Sequence, residues 1–225
     1  MTSWKSALWR RWTLACGTGE FLGIGIAGVS MFLYIQLVGE PDTRPAQFGQ
    51  LLTALLAGAF EGFILATFQL RVFRECLPQL PRMVWIRYTM AVAMLGWLLG
   101  MIYPTFFASG PVQAGSVPEP PLLLILGGAA AMGLTLGALF GWFQWLAFRA
   151  YVPHTRIWIL ANALGWMVGM VLIFLFATMP DEQTPAVWIL LSGFAGGLLG
   201  GLSVGAITGL FLLHILDQHH IQLDS

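Results

Sequence analysis

The sequence predicts an all-α membrane protein: six transmembrane helices arranged as three copies of a two-helix hairpin. Three observations predict it. The chain of 225 residues is 58% hydrophobic and 9% charged, whereas charged residues make up about 25% of a soluble domain. Six stretches are long and apolar enough to cross a hydrocarbon core of ~30 Å, which takes roughly 20 residues per helix. A glycine pattern also recurs at one register three times, which makes the whole of 1–225 a single membrane domain with repeats near 12–75, 85–152 and 157–216.

The spans are expected near 13–38, 48–70, 87–108, 121–148, 157–178 and 187–214. The first, third and fifth each carry two glycines four apart: Gly19 and Gly23, Gly96 and Gly100, Gly165 and Gly169. The second, fourth and sixth each carry a ladder of small residues at the same spacing. These read Ala54-Gly58-Gly62-Ala66, Ala129-Gly133-Gly137-Gly141 and Gly197-Gly201-Gly205-Gly209. Four residues advance about 400° around a helix, so such a ladder drifts, and a partner follows it by crossing obliquely. Small residues let backbones approach closely in lipid, where no hydrophobic force draws helices together. A compact bundle around a pseudo-threefold axis is expected.

Other positions keep the register. Trp12 and Trp158 stand equally far ahead of their glycine pairs, and Trp85 stands about one turn further out. Gln-x-x-x-Phe-Arg-x-x-x-Pro occurs twice, matching Gln69 with Gln144, Phe73 with Phe148, Arg74 with Arg149 and Pro78 with Pro153. The last span has Leu212 and Asp217 at the glutamine and arginine positions. Pro41-Asp42, Pro118-Glu119 and Pro180-Asp181 each follow an odd span.

Orientation follows from charge. Lys5, Arg10, Arg11, Arg71, Arg74, Arg82, Arg87, Arg149 and Arg156 flank one side of the spans, and Arg44 alone lies on the other. Positive residues favour the cytoplasm, so both termini are expected there, in a bacterial inner membrane. Trp4, Trp9, Trp12, Trp85, Trp142, Trp145 and Trp158 fall near the same boundary, where indole rings settle. The first span is read as retained, since no small-residue cleavage site follows an apolar run of suitable length. Cys16 and Cys76 fall near the reducing side, so no disulfide is expected.

The run Gly137-x-x-x-Gly141-Trp142-Phe143-Gln144-Trp145-Leu146-x-Phe148-Arg149, continued by Trp158-x-Leu160-Ala161-Asn162-Ala163-Leu164-Gly165-Trp166, resembles a group of uncharacterised bacterial multi-pass membrane proteins. Gly205-Ala206-Ile207-Thr208-Gly209 fits the same group. The resemblance implies the fold and carries no activity, cofactor or substrate.

Several motifs have plainer readings than their patterns. Gly23-Ile24-Gly25-Ile26-Ala27-Gly28 matches a dinucleotide fingerprint, which needs a strand before it and a helix after it; here it lies within a span and is read as packing. Gly201-Leu202-Ser203-Val204-Gly205 matches a nucleophile motif, but a nucleophilic serine needs a base within hydrogen-bond reach. His214 is about 16 Å away along the same helix, so Ser203 is read as a contact residue bonded to its own helix. His214, His219 and His220 could form a metal site, although His214 and His219 are off the i,i+4 spacing of a helical zinc pair. Gln69, Gln144, Arg74 and Arg149 either bond neighbouring helices and reach the headgroups or line a polar vestibule.

Glu20 and Glu61 are the charged residues expected at membrane depth. Glu20 lies about 12 Å and Glu61 about 15 Å from the cytoplasmic boundary, counted along their helices. In the repeats, position 20 corresponds to Trp97 and Trp166, and position 61 to Leu136 and Val204. Burying a carboxylate costs several kcal/mol unless it is paired, hydrated or protonated. With no lysine or arginine at that depth, one or both acids are expected neutral or sharing a proton. They are either structural hydrogen-bond donors or a proton or cation site entered from the cytoplasm.

Two function classes follow. One is a non-enzymatic packing or assembly module, bound to itself as a homo-oligomer or to a larger membrane complex. The other is a small proton- or cation-coupled transporter using Glu20 and Glu61. An intramembrane enzyme is a distant third. The lipid bilayer is the expected partner; no nucleic acid and no cofactor are expected.

Overall fold

A computed structural model describes residues 3–107, 120–153, 155–181 and 183–218, the side chain of Phe148 excepted. They form six helices: α1 (Ser3–Val38), α2 (Arg44–Cys76), α3 (Arg82–Phe106), α4 (Leu122–Phe148), α5 (Ile157–Ala177) and α6 (Ala186–Gln218). All six are long and apolar enough to cross a membrane.

Local chemistry sets the helix ends. α1 stops at Gly39, whose φ of 88° is open to glycine and strained for other residues. Thr43 then caps α2, accepting the Ala46 amide on its hydroxyl at 3.4 Å, with Pro45 in the first turn where its missing N–H is harmless. Before α6, the Asp181 carboxylate accepts the Thr184 hydroxyl at 2.7 Å and the Gln183 amide at 3.0 Å. These bonds, the hydroxyl first, hold its carboxyl below the usual range. Pro104 stands in the last turn of α3.

Each helix packs on its neighbours in chain order, and α6 returns to α1, so the six close into a ring. The seam between α3 and α4 is the loosest of the six. Ion pairs tie one end together: Lys5 to Asp217 and Arg11 to Glu75, each at 2.7 Å. This end, holding the start of α1 and the close of α6, is called the terminal end below.

The outer surface is apolar, unlike that of a water-soluble bundle. Large apolar side chains such as Leu14, Leu33, Leu52, Phe60, Leu134 and Leu210 point outward. Glycine, alanine and the polar residues Gln69, Gln144, Thr89 and Thr208 point inward. Helices apolar all round suit hydrocarbon, and the glycines fix which face turns to a neighbour.

Most glycine contacts follow one rule. Ladders of even helices pack on the next odd helix: Gly58 and Gly62 on α3, Gly133, Gly137 and Gly141 on α5, and Gly197, Gly201, Gly205 and Gly209 on α1. Odd-helix pairs pack on their own hairpin partner. In the first hairpin, a Cβ at Gly19 would lie 3.0 Å from Leu65 Cα, and one at Gly23 would lie 3.1 Å from Glu61 Cα. In the last, a Cβ at Gly165 would lie 3.3 Å from Val204 Cα, and one at Gly169 would lie 2.9 Å from Val204 Cγ2 and 3.2 Å from the Gly200 carbonyl oxygen. The middle hairpin departs, which corrects the expectation that all three pairs are packing contacts. A Cβ at Gly96 would reach only the tip of Leu136, at 3.9 Å, and one at Gly100 would meet nothing within 4 Å.

The terminal half is filled by a core that includes Trp12, Phe73, Trp85, Trp158, Leu70 and Leu212. Trp12 and Trp85 are fully buried and Trp158 is 1% exposed, so these three indoles turn to the bundle interior. Each indole has a better partner inside than a headgroup. Trp12 donates to Thr208 Oγ1 at 2.9 Å, Trp85 to Gln69 Oε1 at 3.2 Å and Trp158 to Gln144 Oε1 at 3.0 Å. In each case an odd helix is bonded to the even helix before it around the ring. Trp142 remains at the surface.

Candidate functional site

Glu20 and Glu61 occupy adjacent helices but different surroundings. Glu20 turns toward α6: a Cβ at Gly201 would lie 2.6 Å from Glu20 Cβ, so the acid rests where that helix has no side chain. It is 1% exposed, and among the described residues neither carboxyl oxygen has a hydrogen-bond partner. Glu61 rests one turn further along α1, on Gly23, whose Cβ would come 2.5 Å from Glu61 Cγ. Its Oε2 accepts the Trp97 indole N–H at 2.6 Å. Trp97 in turn lies over Gly58, where a Cβ would stand 2.5 Å from its Cδ1. Glycines on three helices therefore make the room that places Glu20, Glu61 and Trp97.

Glu61 and Trp97 form the polar corner of a cavity of about 250 Å³. α3 supplies Ala93, Gly96, Gly100 and Met101 to its wall; α4 supplies Met132, Leu136 and Phe140. Trp166, Met170, Ile173 and Phe174 of α5 and Ile24 of α1 complete it. The cavity lies behind the loose α3–α4 seam, where the unfilled faces of Gly96 and Gly100 leave room. Its wall is apolar apart from Glu61 and the indole N–H groups. A neighbouring pocket toward the far end, lined by Pro120, Leu124, Gly128 and Ala129, shares Met132 and Phe174 with it.

The acids thus do not share one polar chamber: Glu61 lines the cavity and Glu20 does not. Among the described residues the glutamines line no open vestibule at the terminal end either. Gln69 and Gln144 are 4% and 1% exposed. The Gln144 amide donates toward Gln69 Oε1 and Thr89 Oγ1, both at 3.4 Å, and Gln69 Nε2 reaches Cys16 Sγ at 3.6 Å. This network and the tryptophans pack the terminal half of the ring interior. Arg74 and Arg149 are exposed, and Arg149 lies over the Trp145 ring at 4.9 Å.

The remaining candidates fall elsewhere. The Ser203 hydroxyl bonds back to the Gly200 carbonyl at 2.7 Å, as the packing reading expects. His214 is exposed and contacts Gln218 at 3.0 Å. Phe148's side chain, Pro118, Glu119, His154, His219 and His220 lie outside what is described. Among the described residues no three His, Cys, Asp or Glu side chains gather as a metal site.

The cavity wall is what sequence reasoning missed. One signal pointed to it: Trp97 and Trp166 each follow the first glycine of a pair, as Glu20 does, and both line the cavity. The open seam had no signal, because Gly96 and Gly100 look like the other glycine pairs. Compared with protein-family models, characterised proteins and solved structures, the chain matches none.

Proposed function

We propose that this is a non-enzymatic multi-pass membrane protein that binds a membrane-dissolved small molecule in the α3–α4 cavity, with Glu61 as its polar anchor. One observation carries the reading: the middle hairpin leaves its glycine pair uncovered, and the space behind it is apolar with a single acid at one corner. A 150 Å³ apolar cavity holds benzene, so one of about 250 Å³ has room for a larger ring or branched compound.

The architecture behind this reading is three hairpin repeats about a pseudo-threefold axis, with glycine ladders as the packing surfaces. It is supported by the three Trp-to-even-helix bonds and by the recurring glycine contacts. We place both termini in the cytoplasm of a bacterial inner membrane, on the strength of the nine basic residues at the terminal end. The resemblance to bacterial multi-pass proteins is consistent with this placement.

Assembly as a homo-oligomer or in a larger complex is a second reading. Its support is Gly127, Gly128 and Gly193, where an added Cβ would meet nothing within 4 Å, so these faces are available to another helix. The long ladders are already occupied within the ring. Coupling to a proton or cation would fall to Glu61, the acid that reaches the cavity, rather than to the Glu20–Glu61 pair.

The test is to fill the cavity. Gly100→Leu adds a side chain into open space, so the bundle is expected to fold and to lose the small molecules that native mass spectrometry finds retained by the unmodified protein. Equal retention by both proteins would refute the reading.

A further inference from the structure

We propose that the ligand of this cavity is a lipophilic organic cation, with Glu61 as its counter-ion; the proposal rests on the cavity being a binding site. Three features select that charge. First, among the described residues Glu61 has no cation of its own. The ion pairs among the described residues are those of Asp217 and Glu75 at the terminal end, and no lysine or arginine lines the cavity. A carboxylate in hydrocarbon surroundings needs a positive partner or a proton. A cationic ligand would bring that partner with it.

Second, the carboxylate is half committed. The Trp97 N–H holds Oε2 at 2.6 Å and fixes the carboxyl's orientation, while among the described residues no group bonds Oε1. The acid is therefore anchored and still has an oxygen for a ligand.

Third, the rest of the wall suits a weakly hydrated cation. Trp97, Phe140, Trp166 and Phe174 present aromatic rings, and Phe140 and Trp166 pack with centroids 4.9 Å apart. Ring faces attract quaternary ammonium groups within about 6 Å, more strongly where water is excluded. Met132 and Met170 add flexible, polarizable side chains that adapt to ligands of different outline. A neutral apolar guest would use the rings and methionines but leave a proton as the acid's neutralising partner. An anion would meet like charge.

The test compares two compounds of one shape, phenyltrimethylammonium and tert-butylbenzene, which differ in a quaternary nitrogen against a carbon. Binding to the purified full-length protein is measured by equilibrium dialysis, corrected for uptake by protein-free micelles. The cation is expected to bind at least about tenfold more tightly than the neutral compound. Glu61→Gln is expected to abolish that preference, leaving the neutral compound's affinity within about twofold. Equal binding of both compounds to the native protein would overturn the cation proposal and leave the cavity reading standing. Binding of neither would overturn both. A preference that persists in Glu61→Gln would remove Glu61 as counter-ion. The comparison on the native protein needs no variant, so it stands even if Glu61→Gln fails to fold.

Discussion

Glu20 and Glu61 differ in what their neighbours offer. Trp97 donates to Glu61, while Glu20 is sealed between α1 and α6 with both oxygens unpartnered among the described residues. Removing a buried polar group that lacks a partner relieves a penalty of about 1–3 kcal/mol. Glu20→Met keeps the side chain's length and loses the unpartnered oxygens. Its apparent Tm in detergent is therefore expected to rise, and a fall would show that the acid has a stabilising partner. Gln69 shows how one residue can serve several neighbours. It accepts from Trp85 and Gln144 and donates to Cys16, bonding α2 to α3, α4 and α1. The sequence offered a glutamine bonded to a neighbouring helix, whereas which helices it joins was not legible there. That depends on which side of α2 meets the ring interior.

At the scale of the helix, one glycine motif does two different things. Gly201 has Glu20 Cβ and the Cys16 carbonyl oxygen where its own Cβ would be, at 2.6 and 2.7 Å. Backbone blocks the way, so Gly201→Ala must push α1 and α6 apart, and overpacking of this kind costs about 1–3 kcal/mol. Gly100 faces empty space, so Gly100→Ala adds only helix propensity, roughly 0.5–1 kcal/mol in favour of folding. Thermal unfolding of the two variants should move in opposite directions. If both fall, the α3–α4 seam is closed. The spacing of glycines along the chain announces that close approach is available. Whether a neighbour takes it depends on the opposing side chains. Leu136 spans the gap opposite Gly96 with its tip, where Leu65 brings its backbone against Gly19. Gly169, the second glycine of the pair on α5, is covered by Val204 and the Gly200 carbonyl, so glycine pairs of the same spacing are filled on one helix and open on another.

For the molecule as a whole, the ring has a packed half and a hollow half. Tryptophans, Phe73 and the glutamine network fill the terminal half, and the Glu61 cavity and its neighbouring pocket lie beyond it. The proposed orientation is checked with single cysteines in a background where Cys16 and Cys76 are replaced. Arg82→Cys, at the terminal end, should react with a membrane-impermeant maleimide only after the inner membrane is broken. Gln183→Cys, at the opposite end, should react in intact spheroplasts. The reverse pattern would invert the assignment.

Composition and glycine spacing, read from the sequence alone, determined that six helices are apolar enough to cross a membrane and which residues allow close packing. Both are local properties, set by hydrophobicity and by the absence of a Cβ. The tertiary structure alone decided which close approaches are made, that Trp12, Trp85 and Trp158 turn inward, and that Glu61 meets a cavity while Glu20 does not. Those outcomes depend on how six rigid helices share one interior. Closing five seams tightly leaves the α3–α4 seam to take up the remaining space, and no single segment of the chain encodes that sum.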